Sequence, residues 1–117
     1  MLLNTEVETL LNSLRVNGKA VEYAYVFYDG HADTYIVYSQ SDTMNSYSGD
    51  DNILGVVPVY DFDIYSKTNY GAIESGLRSL LTSNNWTWQP NRDSPDLYDK
   101  DTGFYHKTCA YAKPLQI

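Results

Sequence analysis

From Val56 to Ile64 the side chains sort into two alternating sets. Val57, Val59, Asp61 and Asp63 form one set, and Val56, Tyr60, Phe62 and Ile64 the other. A period of two places successive side chains on opposite faces of a strand, so this run predicts a half-buried antiparallel strand. The period then changes: Tyr70, Ile73, Leu77, Leu80 and Leu81 recur at helical spacing, which predicts an amphipathic helix. Between them, Ser66-Lys67-Thr68-Asn69 offers candidate N-caps.

The same reading extends over the chain. Leu3, Val7, Leu10, Leu11 and Leu14 share a helical face, predicting a helix over residues 5–15. Thr5 and Glu8 stand at capping-box spacing, and Asn17-Gly18 closes the helix as a turn-forming pair. Strands rich in Tyr, Val and Ile follow at 22–28 and 34–39; the Asp29-Gly30-His31-Ala32-Asp33 segment between them is a hairpin signal. Residues 41–52 are polar, show no periodicity and read as a long loop. Gly71 and Gly76 weaken the second helix, which must therefore be held by packing, and Asn84-Asn85 closes it. Trp86-Thr87-Trp88 reads as a short strand with both indoles on one face, 89–103 as a second long loop, and 104–112 as a last strand ended by Pro114. The expected fold is one α+β domain over 1–117 in the order α-β-β-β-α-β-β. Its sheet is mainly antiparallel, with two helices packed on one face.

The length of 117 residues fits one domain with its own core. Twelve tyrosines are present; each can bury a ring and keep its hydroxyl wet, which suits strands and interfaces alike. The net charge is -7, unevenly placed. No Lys or Arg occurs from Ala20 to Ser66, whereas Glu22, Asp29, Asp33, Asp42, Asp50, Asp51, Asp61 and Asp63 all lie there. A duplex-binding surface needs clustered cations, so specific nucleic-acid binding is disfavoured. Cys109 is the lone cysteine, consistent with a reducing compartment. The start, MLLNTEVETL, lacks the basic and long apolar regions of a signal peptide, and no apolar run has membrane-spanning length. Asn85-Trp86-Thr87 matches a glycosylation acceptor only by chance.

Candidate chemistry is sparse. Asp99-Lys100-Asp101-Thr102-Gly103 puts Gly at the fifth position, where a calcium loop needs it at the sixth, and so reads as a turn. His106 and Cys109, three apart on a strand, face opposite ways, and His31 sits solvated in a turn. Asp61 and Asp63 share a face, as a catalytic pair would, but also as a strand end turning to solvent would. No phosphate-binding glycine loop, zinc spacing or nucleophile elbow occurs. The expectation is a protein that is not an enzyme and needs no cofactor or metal.

The order of elements resembles the tail-terminator, or tail-completion, proteins of long-tailed non-contractile bacteriophages. The phrases that carry the resemblance are TYIVYSQ, VYDFDIYSKTNYGAIESGLRSLL with DIYSKT at 63–68 and Glu74 in the helix that follows, WTWQ, and DTGFYHKTCAYA with Gly103–Lys107 opening the last strand. Many relatives carry a proline-rich segment before the first strands; residues 17–28 here contain no proline. The resemblance implies a structural virion protein of the tail or neck, assembled in the bacterial host cytoplasm. It would form a ring, commonly a hexamer, that caps the tail tube and joins it to the head connector. Partners would be further copies of the chain, the tail tube protein and the head connector protein, with no membrane. Candidate contact residues are Tyr47, Asp50 and Asp51 in the first loop and Asp96, Tyr98 and Asp99 in the second, and an acidic lining would leave DNA free to pass. Two other readings stand beside this one: a small acidic monomeric binding or inhibitor module, and an enzyme using Asp61 and Asp63.

Overall fold

The computed structural model describes residues 3–47 and 53–116. Its elements are α1 (Asn4–Ser13), β1 (Arg15–Val16), β2 (Lys19–Ala20), β3 (Glu22–Tyr25), β4 (Thr34–Tyr47), β5 (Ile53–Ser66), α2 (Gly71–Thr82), β6 (Thr87–Trp88), a 3₁₀ turn (Pro90–Arg92), β7 (Leu97–Asp99), β8 (Phe104–Ala112) and β9 (Leu115–Gln116). The main sheet runs β3-β4-β5-β8-β6, with β7 also on β8 and β9 on β5. All its pairings are antiparallel except β3 with β4. The fold is thus α+β with a mainly antiparallel sheet, as expected.

Both helices cover one face. Ile36 and Tyr38 of β4, Tyr60, Phe62 and Ile64 of β5, and Cys109 and Tyr111 of β8 pack there against Val7, Leu11 and Leu14 and against Ile73, Leu77 and Leu81. Burying each such aliphatic side chain contributes about 1.5–3 kcal/mol. Trp86 closes the cluster edge-on to Tyr60 and Phe62, and its indole donates to Glu6 of α1. Trp88 also lies on the helix side, under the Arg78 guanidinium 3.9 Å from its ring.

Helix ends depart from the sequence reading. Thr5 and Glu8 form no capping box: α1 has no side-chain cap of its own, and Glu8 accepts the Tyr38 hydroxyl instead. The cap comes from the sheet. The Tyr60 hydroxyl accepts the Leu3 N–H at 2.9 Å and donates to Asn4 Oδ1 at 2.6 Å. Asn17-Gly18 does not close the helix. With φ of 54° and 78° it forms the two-residue turn of the β1–β2 hairpin, where both residues must be left-handed. At α2, Asn69 Oδ1 accepts the Gly71 N–H. Asn85, at φ 70°, ends α2 as expected, with Trp86 N–H returning to Leu81 O.

The strands also depart. The expected β3–β4 hairpin is a parallel pair, because the chain leaves the edge at Tyr25 and crosses to re-enter at Thr34. The crossing is pinned by Tyr28: its ring stacks on Tyr35, and its hydroxyl bonds Glu22 and the Ala32 N–H. Gly30 closes under that ring, where a Cβ would collide with it. Residues 41–47 are not a loop. β4 continues through a bulge at Ser41, where pairing moves from Gln40 with Tyr60 to Asp42 with Val59. The extension lies opposite Pro58, which has no N–H to give. Apart from Met44, residues 41–45 are polar and largely exposed, so they carry no periodic signal and the strand was hidden.

The second expected loop seals an edge. β6, Gln89, Ser94 and β7 run along β8, with Gln89 N–H on Ala110 O and Ser94 N–H on Thr108 O. Asp93 joins in, accepting the Ala110 N–H and the Trp88 indole.

Candidate functional site

The face of the sheet opposite the helices carries an ordered row of rings. Tyr28, Tyr35, Tyr65 and His106 stack in sequence, with centroids 4.0, 4.8 and 4.3 Å apart and interplanar angles of 17°, 17° and 7°. These separations match the spacing of neighbouring strands, about 4.8 Å. Tyr35, Tyr65 and His106 therefore stand side by side across the sheet, each half-buried, with His106 Nε2 itself shielded from solvent. Register explains the row: Tyr35 lies opposite Tyr65, and Tyr65 opposite His106. Phe104 packs edge-on against Tyr35 and Tyr65, and the Lys67 ammonium sits 5.3 Å from the Phe104 ring. Tyr35, Tyr65, Leu97, Tyr98, Phe104 and His106 line a shallow groove of about 480 Å³.

Asp61 and Asp63 lie on this same face, as the alternation predicts. They are held by hydroxyls: Ser41 Oγ donates to Asp61 Oδ1 at 3.2 Å, and Thr108 Oγ1 to Asp63 Oδ1 at 2.5 Å. His106 Nε2 is 3.6 Å from the Asp63 oxygen. Partial burial raises the Asp61 pKa, helped by the neighbouring Asp63 charge and opposed chiefly by the Ser41 hydrogen bond. Beyond Asp61 the face turns apolar, with Met44, Val57, Val59, Ala110 and Ala112 in contact. Arg92 reaches from the 3₁₀ turn to Asp42 at 2.9 Å over that patch. No group of three or more potential metal-ligating side chains occurs among the described residues.

A larger cleft of about 620 Å³ opens at the start of α2, between Lys67, Tyr70, Glu74, Asp96, Tyr105 and Lys107. Its charges are largely satisfied within the chain. Glu74 pairs with Arg78 at 3.2 Å and Lys107 at 3.4 Å, and the Tyr70 hydroxyl donates to Asp96. Cys109 faces the core, where burial pushes its thiol up to about 12, while His106 faces the other way.

The contact residues chosen from sequence are scattered. Tyr47 ends β4, and Asp50 and Asp51 lie outside the described residues. Asp96 is exposed but bonded to Tyr70; Tyr98 is exposed on β7 against Tyr105, 4.8 Å between ring centroids; Asp99 opens the turn to β8, accepting the Asp101 N–H. The ring row and the exposed Tyr25-Val26-Phe27 prong were missed. The signal was present: Tyr25 to Tyr28 are four consecutive large apolar or aromatic residues, which breaks the alternation of a half-buried strand. No helix among the described residues is long and apolar enough to cross a membrane. No protein-family model matches the chain, and no curated protein matches it.

Proposed function

We propose that this chain is a non-enzymatic structural protein of a phage virion. In this reading it is one subunit of a ring, commonly a hexamer, that caps the tail tube and joins it to the head connector in the tail or neck. The observation that carries the reading is the contrast between the two faces of the sheet. One is covered by helices; the other carries a row of half-buried stacked rings, with no helix over it among the described residues. Aromatic surfaces of this kind are enriched at protein contacts. The long β4–β5 hairpin, of two 14-residue strands, adds a second contact surface and accounts for much of the 52 Å long axis. The phrase DIYSKT supports the reading by its position, ending β5 and leading into α2.

The acidic lining narrows on this fold. Asp61 and Asp63, with Asp42 beside Arg92, belong to the uncovered face, whereas Glu22 lies on the β3 margin and Asp29 in the crossing that follows it. Asp61 and Asp63 are therefore the acids proposed to face passing DNA. The reading is tested by light scattering and electron microscopy of the purified chain over a range of concentrations. Rings with a central opening support it. A species that stays monomeric up to millimolar concentration and forms none would favour the acidic monomeric module. A three-dimensional reconstruction that buries Asp61 and Asp63 between subunits would sink the lining.

A further inference from the structure

On its outer side β4 outruns its neighbour. β3 pairs it only from Tyr35 to Tyr38, and Val26 N–H adds a last bond to Tyr38 O. Beyond that point no strand lies outside β4 among the described residues. The register shows which backbone groups turn to this open edge. The Pro58 carbonyl accepts the Lys113 N–H, so Pro58 faces away from β4. Thr43 stands opposite Pro58 and so faces away from β5. The Thr43 N–H and C=O therefore point outward along the edge. Backbone groups in that position are a template for a strand of another chain. The composition suits such pairing: β4 reads TYIVYSQSDTMNSY, rich in β-branched and aromatic residues, with Asp42 as its lone charge.

That charge is built into the edge. Asp42 Oδ1 accepts the Thr43 N–H at 2.8 Å, and Arg92 Nη2 donates to Asp42 Oδ2 at 2.9 Å. Arg92 belongs to the 3₁₀ turn, whose flanking residues Gln89 and Ser94 bond β8, and β8 is two strands away from β4. The carboxylate is thus tied at one oxygen to the edge and at the other across the sheet. The Thr43 side chain is held as well, its hydroxyl accepting Gln40 Nε2 at 2.6 Å. The Thr43 N–H first, and then Arg92, hold the Asp42 carboxyl below the ordinary carboxylate value, so it is charged at neutral pH.

We propose that the Asp42 carboxylate guards the open edge of β4 against strand addition by a second copy of this chain. Every copy carries the same open edge, and two such edges match antiparallel about a two-fold axis. The guard works by occupancy. An incoming strand needs the Thr43 N–H as a ladder donor, and that donor is already taken by an ionised acceptor. Hydrogen bonds to ionised groups are roughly twice as strong as neutral ones, so exchanging the carboxylate for a backbone carbonyl is a loss. The displaced carboxylate would also have to leave Arg92 or drag it along. The inference concerns a contact that the fold prevents, and it holds whether or not the chain forms rings.

The test compares the full-length wild type with Asp42→Ala, Thr43→Pro and the variant carrying both. Asp42 and Thr43 are exposed, and the Thr43 N–H makes no bond to β5, so no core contact or ladder bond is removed. In sedimentation, Asp42→Ala should self-associate about tenfold more strongly than the wild type, the equivalent of one net hydrogen bond freed on each copy of a pair. Thr43→Pro and the double variant should associate no more than the wild type, because proline has no N–H to offer a ladder. Hydrogen exchange locates the contact. In Asp42→Ala the Thr43 amide should slow as concentration rises, whereas in the wild type its rate should not depend on concentration. An Asp42→Ala chain that associates no more strongly than the wild type would overturn the guard. So would a double variant that still associates, since the contact would then lie elsewhere, and so would a wild-type Thr43 amide that slows with concentration. Rings of the wild type, present or absent, are read separately and leave these comparisons unchanged.

Discussion

Replacing Tyr60 by Phe tests how α1 is held to the sheet. The ring is fully buried and would stay in place, so no cavity forms. Only the hydroxyl is lost, and with it two hydrogen bonds: the one accepted from Leu3 N–H and the one donated to Asn4 Oδ1. Leu3 is buried, so its N–H loses its acceptor with little access to water, at a cost of about 1–3 kcal/mol. Asn4 is half-buried and can be rehydrated, adding less than about 1 kcal/mol. The sum is about 2 kcal/mol. At about 4 °C per kcal/mol for a domain of this size, Tm should fall by about 8 °C. Urea denaturation gives the free energy, and hydrogen exchange of the α1 amides locates it: those amides should exchange faster than the α2 amides. A double-mutant cycle with Asn4→Ala should show non-additivity of at least about 0.5 kcal/mol. A loss below about 0.5 kcal/mol with unchanged α1 exchange would refute the argument that the sheet caps the helix.

Three further outcomes follow from the geometry. Gly76→Ala should stabilise by about 0.5–1 kcal/mol in thermal or urea unfolding, because a Cβ there meets Leu14 at 3.5 Å and Val16 at 3.7 Å, ordinary contact, while helix propensity improves. Asp61→Asn should be more stable than the wild type at neutral pH. Burial raises the folded pKa of Asp61, so its charged form is penalised in the fold. Wild-type stability is therefore lost as pH rises through the window between the unfolded and folded values. The variant's advantage should vanish below about pH 4, where the carboxyl is protonated in both states; an advantage that persists there would contradict the assignment. Cys109, buried with its thiol pushed up to about 12, should resist aromatic disulfide reagents at pH 8 until denaturant opens the core; fast labelling of the native chain would contradict its placement.

Legibility in the sequence tracked burial. Where one face is dry, the period shows, so β5, α2 and the apolar stripe of α1 were readable from Val56–Leu81 and Leu3–Leu14. The Ser41–Asn45 part of β4 and the Leu97–Asp99 strand are largely exposed, so they gave no period to read. Alternation also reports faces and not partners, which is why β3 was expected beside β4 in the wrong direction. Val26, at φ 66° with its N–H on Tyr38 O, stands where the chain leaves the β3 edge. Local caps were misassigned for the same reason. Thr5 and Glu8 have the right spacing, but the Tyr38 hydroxyl donates to Glu8 and the Tyr60 hydroxyl accepts the Leu3 N–H. The aromatic row depended on register between strands 30 residues apart in sequence, Tyr35 with Tyr65, which no local pattern encodes. Asp61 and Asp63 were placed correctly on one face, because that needed only the period.

The central proposal is that this chain acts as a ring subunit that caps a tail tube, and the most direct measurement is electron microscopy of unterminated tubes after incubation with the purified chain. The account predicts an added ring at one end of each tube. Tubes whose ends stay bare, beside a chain that remains monomeric in the same mixture, would contradict it.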